Sequence, residues 1–158
     1  LTILSEASIT LRCEIKPGVN YQPHANIVDI TLAMIESHAL MERTIFTSFY
    51  LPHIRELVLK AGQARDVLWL VSEQMACLLD DDALVSVARD VGVQSLALHH
   101  ALLEDSRLHR LRAAGLVPSA FAVYEDAAIE TAIQQGLPVF TTDRPDAALR
   151  IRKSLSGM

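Results

Sequence analysis

Six times along this chain a short apolar run rich in β-branched and aromatic residues is followed by a longer segment of helical period. The runs are ITLRCEIK (9–16), TIFTSF (44–49), DVLWLVS (66–72), QSLALH (94–99), VPSAFAVY (117–124) and PVFTTD (138–143). Between them, residues 24–41, 51–62, 103–115, 125–136 and 144–155, with the segment that starts at Asp80–Asp82, carry apolar residues three and four apart and read as helices. Gly62 and Gly136 mark helix stops, and Pro145 suits a first helical turn. Strict β-α alternation predicts an α/β fold, a parallel sheet covered by helices. The strands are almost continuously apolar, as strands buried on both faces should be. An open doubly wound sheet and part of a (β/α)8 TIM barrel both satisfy this pattern. Against the open nucleotide-binding sheet, no G-x-G-x-x-G follows any strand.

At 158 residues the chain reads as a single domain over 1–158, with no linker or low-complexity stretch. A net charge of −5 with no Lys/Arg stripe predicts no nucleic-acid partner. No apolar run approaches the ~20 residues of a membrane span, and no signal peptide is visible. Cys13 and Cys77 stand far apart, which suggests a reducing compartment or inert thiols rather than a disulfide framework. The expected location is cytoplasmic, with the periplasm open, and oligomeric state is left undecided. The chain begins at Leu1 rather than at a methionine, so its natural start is expected upstream.

The stretch LRCEIKPG (11–18) carries the most chemistry. Side chains two apart on a strand share a face, so Arg12, Glu14 and Lys16 point one way, and Leu11, Cys13 and Ile15 point towards the helices. Two readings stay open: an internal charge network, or a carboxylate holding a hard divalent cation with a lysine beside it for an anionic substrate. Arg12 sits deeper and reads as structural. One carboxylate cannot hold such a cation, so the other ligands are expected elsewhere.

Ser48 is expected as a small inward hydroxyl at a strand end, with a cap as its alternative. His99 and His100 are expected on opposite faces at another strand end, where one could meet a phosphate or donate a proton. His24, His38, His53 and His109 read as surface residues. Asp143 reads as a helix cap, with Thr142 and Arg144 beside it, and Asp80–Asp82 as a solvated helix start. No G-x-S-x-G supports a Ser-His-Asp triad.

Taken in order, LRCEIKPG, TIFTSF and the closing GLPVFTTDRPDAAL resemble the glycerophosphodiester phosphodiesterases, metal-dependent (β/α)8 barrels. The resemblance implies about six β-α units matching the family's strands 3 to 8, the C-terminal part of such a barrel with its N-terminal strands missing. It implies Glu14 as a catalytic and metal-binding glutamate and Lys16 as a catalytic lysine that contacts the substrate phosphate. Ser48 and Phe49 match the family's Ser-Phe strand end, and Thr142, Asp143 and Pro145 its closing motif. Where the family has Trp-Thr-Val-Asn this chain reads FAVYED, with Phe121 as the substrate-facing apolar wall. Arg12 stands where the family has Asn.

The implied activity is hydrolysis of glycerophosphodiesters to sn-glycerol 3-phosphate and an alcohol, with Mg²⁺ or Ca²⁺ as cofactor and a small-molecule substrate as the partner. The family's acid–base histidines and remaining metal ligands would lie outside this sequence. The alternative is a truncated non-catalytic homologue that binds a phosphorylated ligand or pairs with another chain.

Overall fold

The computed structural model describes residues 9–22 and 24–157. Five strands, β1 (Leu11–Glu14), β2 (Thr44–Ser48), β3 (Asp66–Leu70), β4 (Ser95–His99) and β5 (Val117–Phe121), form one parallel sheet in chain order. Among the described residues seven α-helices accompany them: α1 (Ile27–Ser37), α2 (Leu51–Lys60), α3 (Glu73–Leu78), α4 (Asp81–Val91), α5 (Asp105–Ala113), α6 (Asp126–Gln134) and α7 (Pro145–Ser156). This is the α/β pattern that the alternation predicts, a partial TIM barrel.

Two compact units divide the described residues. Those up to Leu70, with Val87–Ser95, form the first; Val71–Ser86, with those from Leu96 onward, form the second.

In the first unit β1 pairs parallel to β2, with Cys13 opposite Phe46 and Glu14 opposite Thr47. β2 pairs parallel to β3, with Phe46 opposite Val67 and Thr47 opposite Leu68. One face of these strands packs on α1 and α2: Phe46 and Ile15 sit with Val28, Leu32, Ile35 and Leu57, and Leu11, Cys13 and Val67 lie against them. Fully burying a side chain such as Phe46 or Leu57 contributes about 1.5–3 kcal/mol. The lost apolar hydration is what drives each amphipathic helix onto the sheet. Gly92 ends α4 with φ +81, a left-handed conformation that favours glycine.

In the second unit α3 starts on Ser72, whose Oγ accepts the Met75 N–H at 3.3 Å. Asp80 caps α4 by accepting the Ala83 N–H at 2.8 Å, while Asp81, expected to be solvated with it, is mostly covered and accepts from Arg107 Nε at 2.7 Å. The sixth expected strand is reduced to one parallel bridge, Ala120 to Phe140. The Thr141 N–H donates to Ala120 at 3.0 Å and the Val123 N–H to Thr141 at 3.0 Å, so the segment is extended but its ladder is short. Pro118 on β5 contributes to this: it shares the parity of Ala120, whose N–H donates to Val139, and has no N–H of its own to give.

Candidate active site at the end of β1

β1 stops where its sequence makes it stop. Glu14 is the last strand residue, and the Ile15 N–H continues the ladder to the Thr47 carbonyl at 2.8 Å. Pro17 has no N–H to carry the ladder further. At Gly18 the chain folds back, its N–H donating to the Gln22 carbonyl at 2.8 Å. A Cβ at Gly18 would lie 2.8 Å from that same oxygen and 2.8 Å from His24 Nε2, so only glycine fits without a shift.

The alternation on β1 is as expected. Leu11, Cys13 and Ile15 face the helices, while Arg12 and Glu14 lie on the opposite face. Glu14 and Lys16 are exposed and Arg12 is half-buried. Burial pushes the Arg12 guanidinium below its usual range, and the neighbouring Glu14 charge pulls it back up. The two charges are thus coupled at the strand end. Burial also raises the Cys13 thiol, which fits an inert residue.

On β2 the parity differs from expectation. Phe46 pairs with Cys13 and packs under the helices, so Ser48, two residues on, shares that face. Thr47 is the hydroxyl on the Glu14 side, and its Oγ1 is buried with no hydrogen-bond partner among the described residues. Ser48 itself is fully buried. Its Oγ donates to the Ile15 carbonyl at 2.6 Å and accepts the Tyr50 N–H at 3.1 Å. The hydroxyl therefore braces the residue between Glu14 and Lys16 instead of pointing inward.

His53 is the residue that sequence reading misplaces. Expected on the surface, it is 3 % exposed at the start of α2, with Nδ1 3.4 Å from Ser48 Oγ and its ring edge-on to Tyr50 at 4.9 Å. Burial lowers its pKa, opposed by a hydrogen bond with the Ile15 backbone and by the charge of Glu56. Its Nε2 is buried without a partner among the described residues. A signal was present: His53 precedes Leu57 by four residues and Ala61 by eight, all on the buried stripe of α2 and its C-terminus.

In the second unit His99 ends β4. Its Nδ1 accepts the Ala101 N–H at 3.3 Å, so in the neutral ring the proton sits on Nε2, 4.0 Å from Glu73 Oε1. His100 is not turned to an opposite face: the two rings lie 4.7 Å apart, tilted by 32°. Burial, and then the charge of His99, lower the His100 pKa. Phe121, the expected apolar wall, ends β5 with its ring edge-on to His99 at 5.8 Å. At the last helix the turn is closed by Thr142, whose Oγ1 accepts the Arg144 N–H at 3.1 Å; Asp143, the expected cap, is exposed and Arg144 takes the N-cap position. Arg144 Nη1 pairs with Asp126 at 2.8 Å.

Glu14 ends β1 and Lys16 follows two residues on, both exposed, a carboxylate and an ammonium suited to a polar, phosphate-bearing ligand. A hard divalent cation needs six or more oxygens. Among the described residues no three His, Cys, Asp or Glu side chains converge as a metal-holding group. The described residues therefore do not make a cation site by themselves.

Solved structures share this fold over nearly the whole chain. A protein from Agrobacterium tumefaciens assigned as a glycerophosphoryl diester phosphodiesterase superposes with a TM-score of 0.93 at 32% identity, over 99% of this chain and 64% of that one. The structure matches the glycerophosphodiester phosphodiesterase family. A glycerophosphodiester phosphodiesterase from Parabacteroides distasonis shares the fold with a TM-score of 0.78 at 19% identity, over 98% of this chain and 61% of that one. One from Thermotoga maritima does so with a TM-score of 0.59 at 16% identity, over 88% of this chain and 56% of that one. The chain thus spans less than two thirds of these glycerophosphodiester phosphodiesterases. No family model matches the sequence, and no curated protein matches it.

Proposed function

We propose that this chain is the C-terminal part of a phosphodiesterase that hydrolyses glycerophosphodiesters to sn-glycerol 3-phosphate and an alcohol. The observation that carries the reading is the superposition on the Agrobacterium protein at 32% identity, with Glu14 and Lys16 exposed together at the carboxyl end of β1. Ligands of α/β barrels gather at that end of the strands.

In this reading Lys16 Nζ balances charge on a non-bridging phosphate oxygen, an interaction that strengthens as charge develops in the transition state. Glu14 is the chain's anionic contribution at the reacting phosphate. A divalent cation, Mg²⁺ or Ca²⁺, belongs to the reading only with ligands from beyond the described residues. Arg12 neutralises Glu14 in part from the layer below.

The test is release of sn-glycerol 3-phosphate from a panel of glycerophosphodiesters by the protein that carries this chain. Glu14→Gln keeps the shape and removes the charge; kcat/KM is expected to fall by about 100-fold or more, the scale on which single electrostatic contacts act. Wild-type turnover in that variant overturns the assignment. Binding of the diester without any turnover in the unsubstituted protein favours the non-catalytic alternative.

A further inference from the structure

We propose that Ser48 and His53 form a clamp on the Ile15 peptide group that holds Glu14 and Lys16 in register at the end of β1, and that both are positioning residues for the phosphodiester site. This inference rests on the functional reading above. The residues belong to β1, β2 and α2, all in the first unit.

Ile15 is the one residue between the two charged side chains, and both of its backbone polar groups are tied to the end of β2. Its N–H donates to the Thr47 carbonyl at 2.8 Å, and its carbonyl accepts the Ser48 hydroxyl at 2.6 Å. Its side chain is 3 % exposed in the core under α1 and α2. A residue held at both its N–H and its carbonyl and anchored by its side chain leaves the neighbouring side chains no freedom to exchange faces. The faces of Glu14 and Lys16 follow from that.

Proton counting assigns the His53 tautomer. Ser48 has a single hydroxyl proton, given to Ile15, and two acceptor positions. One accepts the Tyr50 N–H at 3.1 Å; the other faces His53 Nδ1 at 3.4 Å. With the hydroxyl proton used, Nδ1 must be the donor. His53 is therefore the neutral Nδ1–H form, with a bare Nε2 in the buried position where no described group meets it. The lowered pKa that burial gives the ring agrees with a neutral imidazole.

The test pairs spectroscopy with kinetics on the protein that carries this chain. A long-range ¹H–¹⁵N spectrum of the imidazoles is expected to show His53 protonated at Nδ1 and bare at Nε2; the opposite tautomer overturns the clamp whether or not the protein is a phosphodiesterase. His53→Asn places an amide N–H near the Nδ1 position, while His53→Leu keeps bulk and removes the donor. His53→Asn is expected to keep kcat/KM within about threefold of the parent, and His53→Leu to lose about tenfold or more, with faster hydrogen exchange at the Ile15 amide. Equal loss in both variants overturns the proposal, since packing alone would then explain His53. Ser48→Ala is expected to match His53→Leu; a folded Ser48→Ala protein with unchanged exchange at Ile15 overturns it. If Ser48→Ala does not fold, the two His53 variants and the tautomer still decide. If the parent shows no turnover, exchange and tautomer still report on the clamp while the functional reading fails separately.

Discussion

A buried imidazole beside a strand end makes the protein's stability depend on pH in a direction that can be worked out. Burial lowers the His53 pKa, so the native state resists a proton that the unfolded chain accepts near its ordinary value of about 6.5. Above that value the ring is neutral in both states and nothing is lost. As pH falls below it, the unfolded state binds more protons, and stability declines until the folded pKa is reached. His100 is lowered for the same reason and adds to the slope. Thermal unfolding is therefore expected to show a lower midpoint at pH about 5.5 than at about 7.5, and a smaller drop in His53→Asn. An equal drop in parent and variant would assign the effect to His100 and other groups.

Elements show why some of the site was legible in the sequence and some was not. β1 alternates charged and apolar residues, so its two faces could be told apart before any coordinates, and Cys13 and Ile15 do lie under the helices. β2 is buried at every position from Thr44 to Ser48, so nothing in TIFTS distinguishes its faces. Only the register with β1 reveals that Thr47, not Ser48, shares the side of Glu14. α3 is not legible in the sequence, because six residues are too few for a helical period to show. The Pro-Gly stop, by contrast, can be tested directly. Gly18→Ala brings a Cβ to 2.8 Å from the Gln22 carbonyl, and that oxygen belongs to backbone that cannot swing aside. The substitution is expected to cost about 1–3 kcal/mol in denaturant unfolding, the usual scale for overpacking. A cost under a few tenths would mean that the turn after Lys16 opens without strain.

For the whole molecule, the decisive quantity is how much of a cation site one chain segment can hold. The chain covers 64% of the Agrobacterium structure it matches at 32% identity. The strand alternation conveyed the fold class because it extends over every β-α unit, whereas a metal centre depends on a few carboxylates brought together from distant strands. Of those, the resemblance implies Glu14 in this chain, exposed at the end of β1 beside Arg12. A ligand that binds only the native state raises stability by RT ln(1 + [L]/Kd), so a site weaker than the cation concentration used contributes little. Adding ~5 mM Ca²⁺ or Mg²⁺ to the 158-residue chain, at matched ionic strength, is therefore expected to leave its unfolding midpoint unchanged within about 1 °C. A rise of several degrees that Glu14→Gln abolishes would show that this chain already gathers the remaining ligands. Glu14 would then be a member of a complete centre, and the cation would bind without carboxylates supplied from elsewhere.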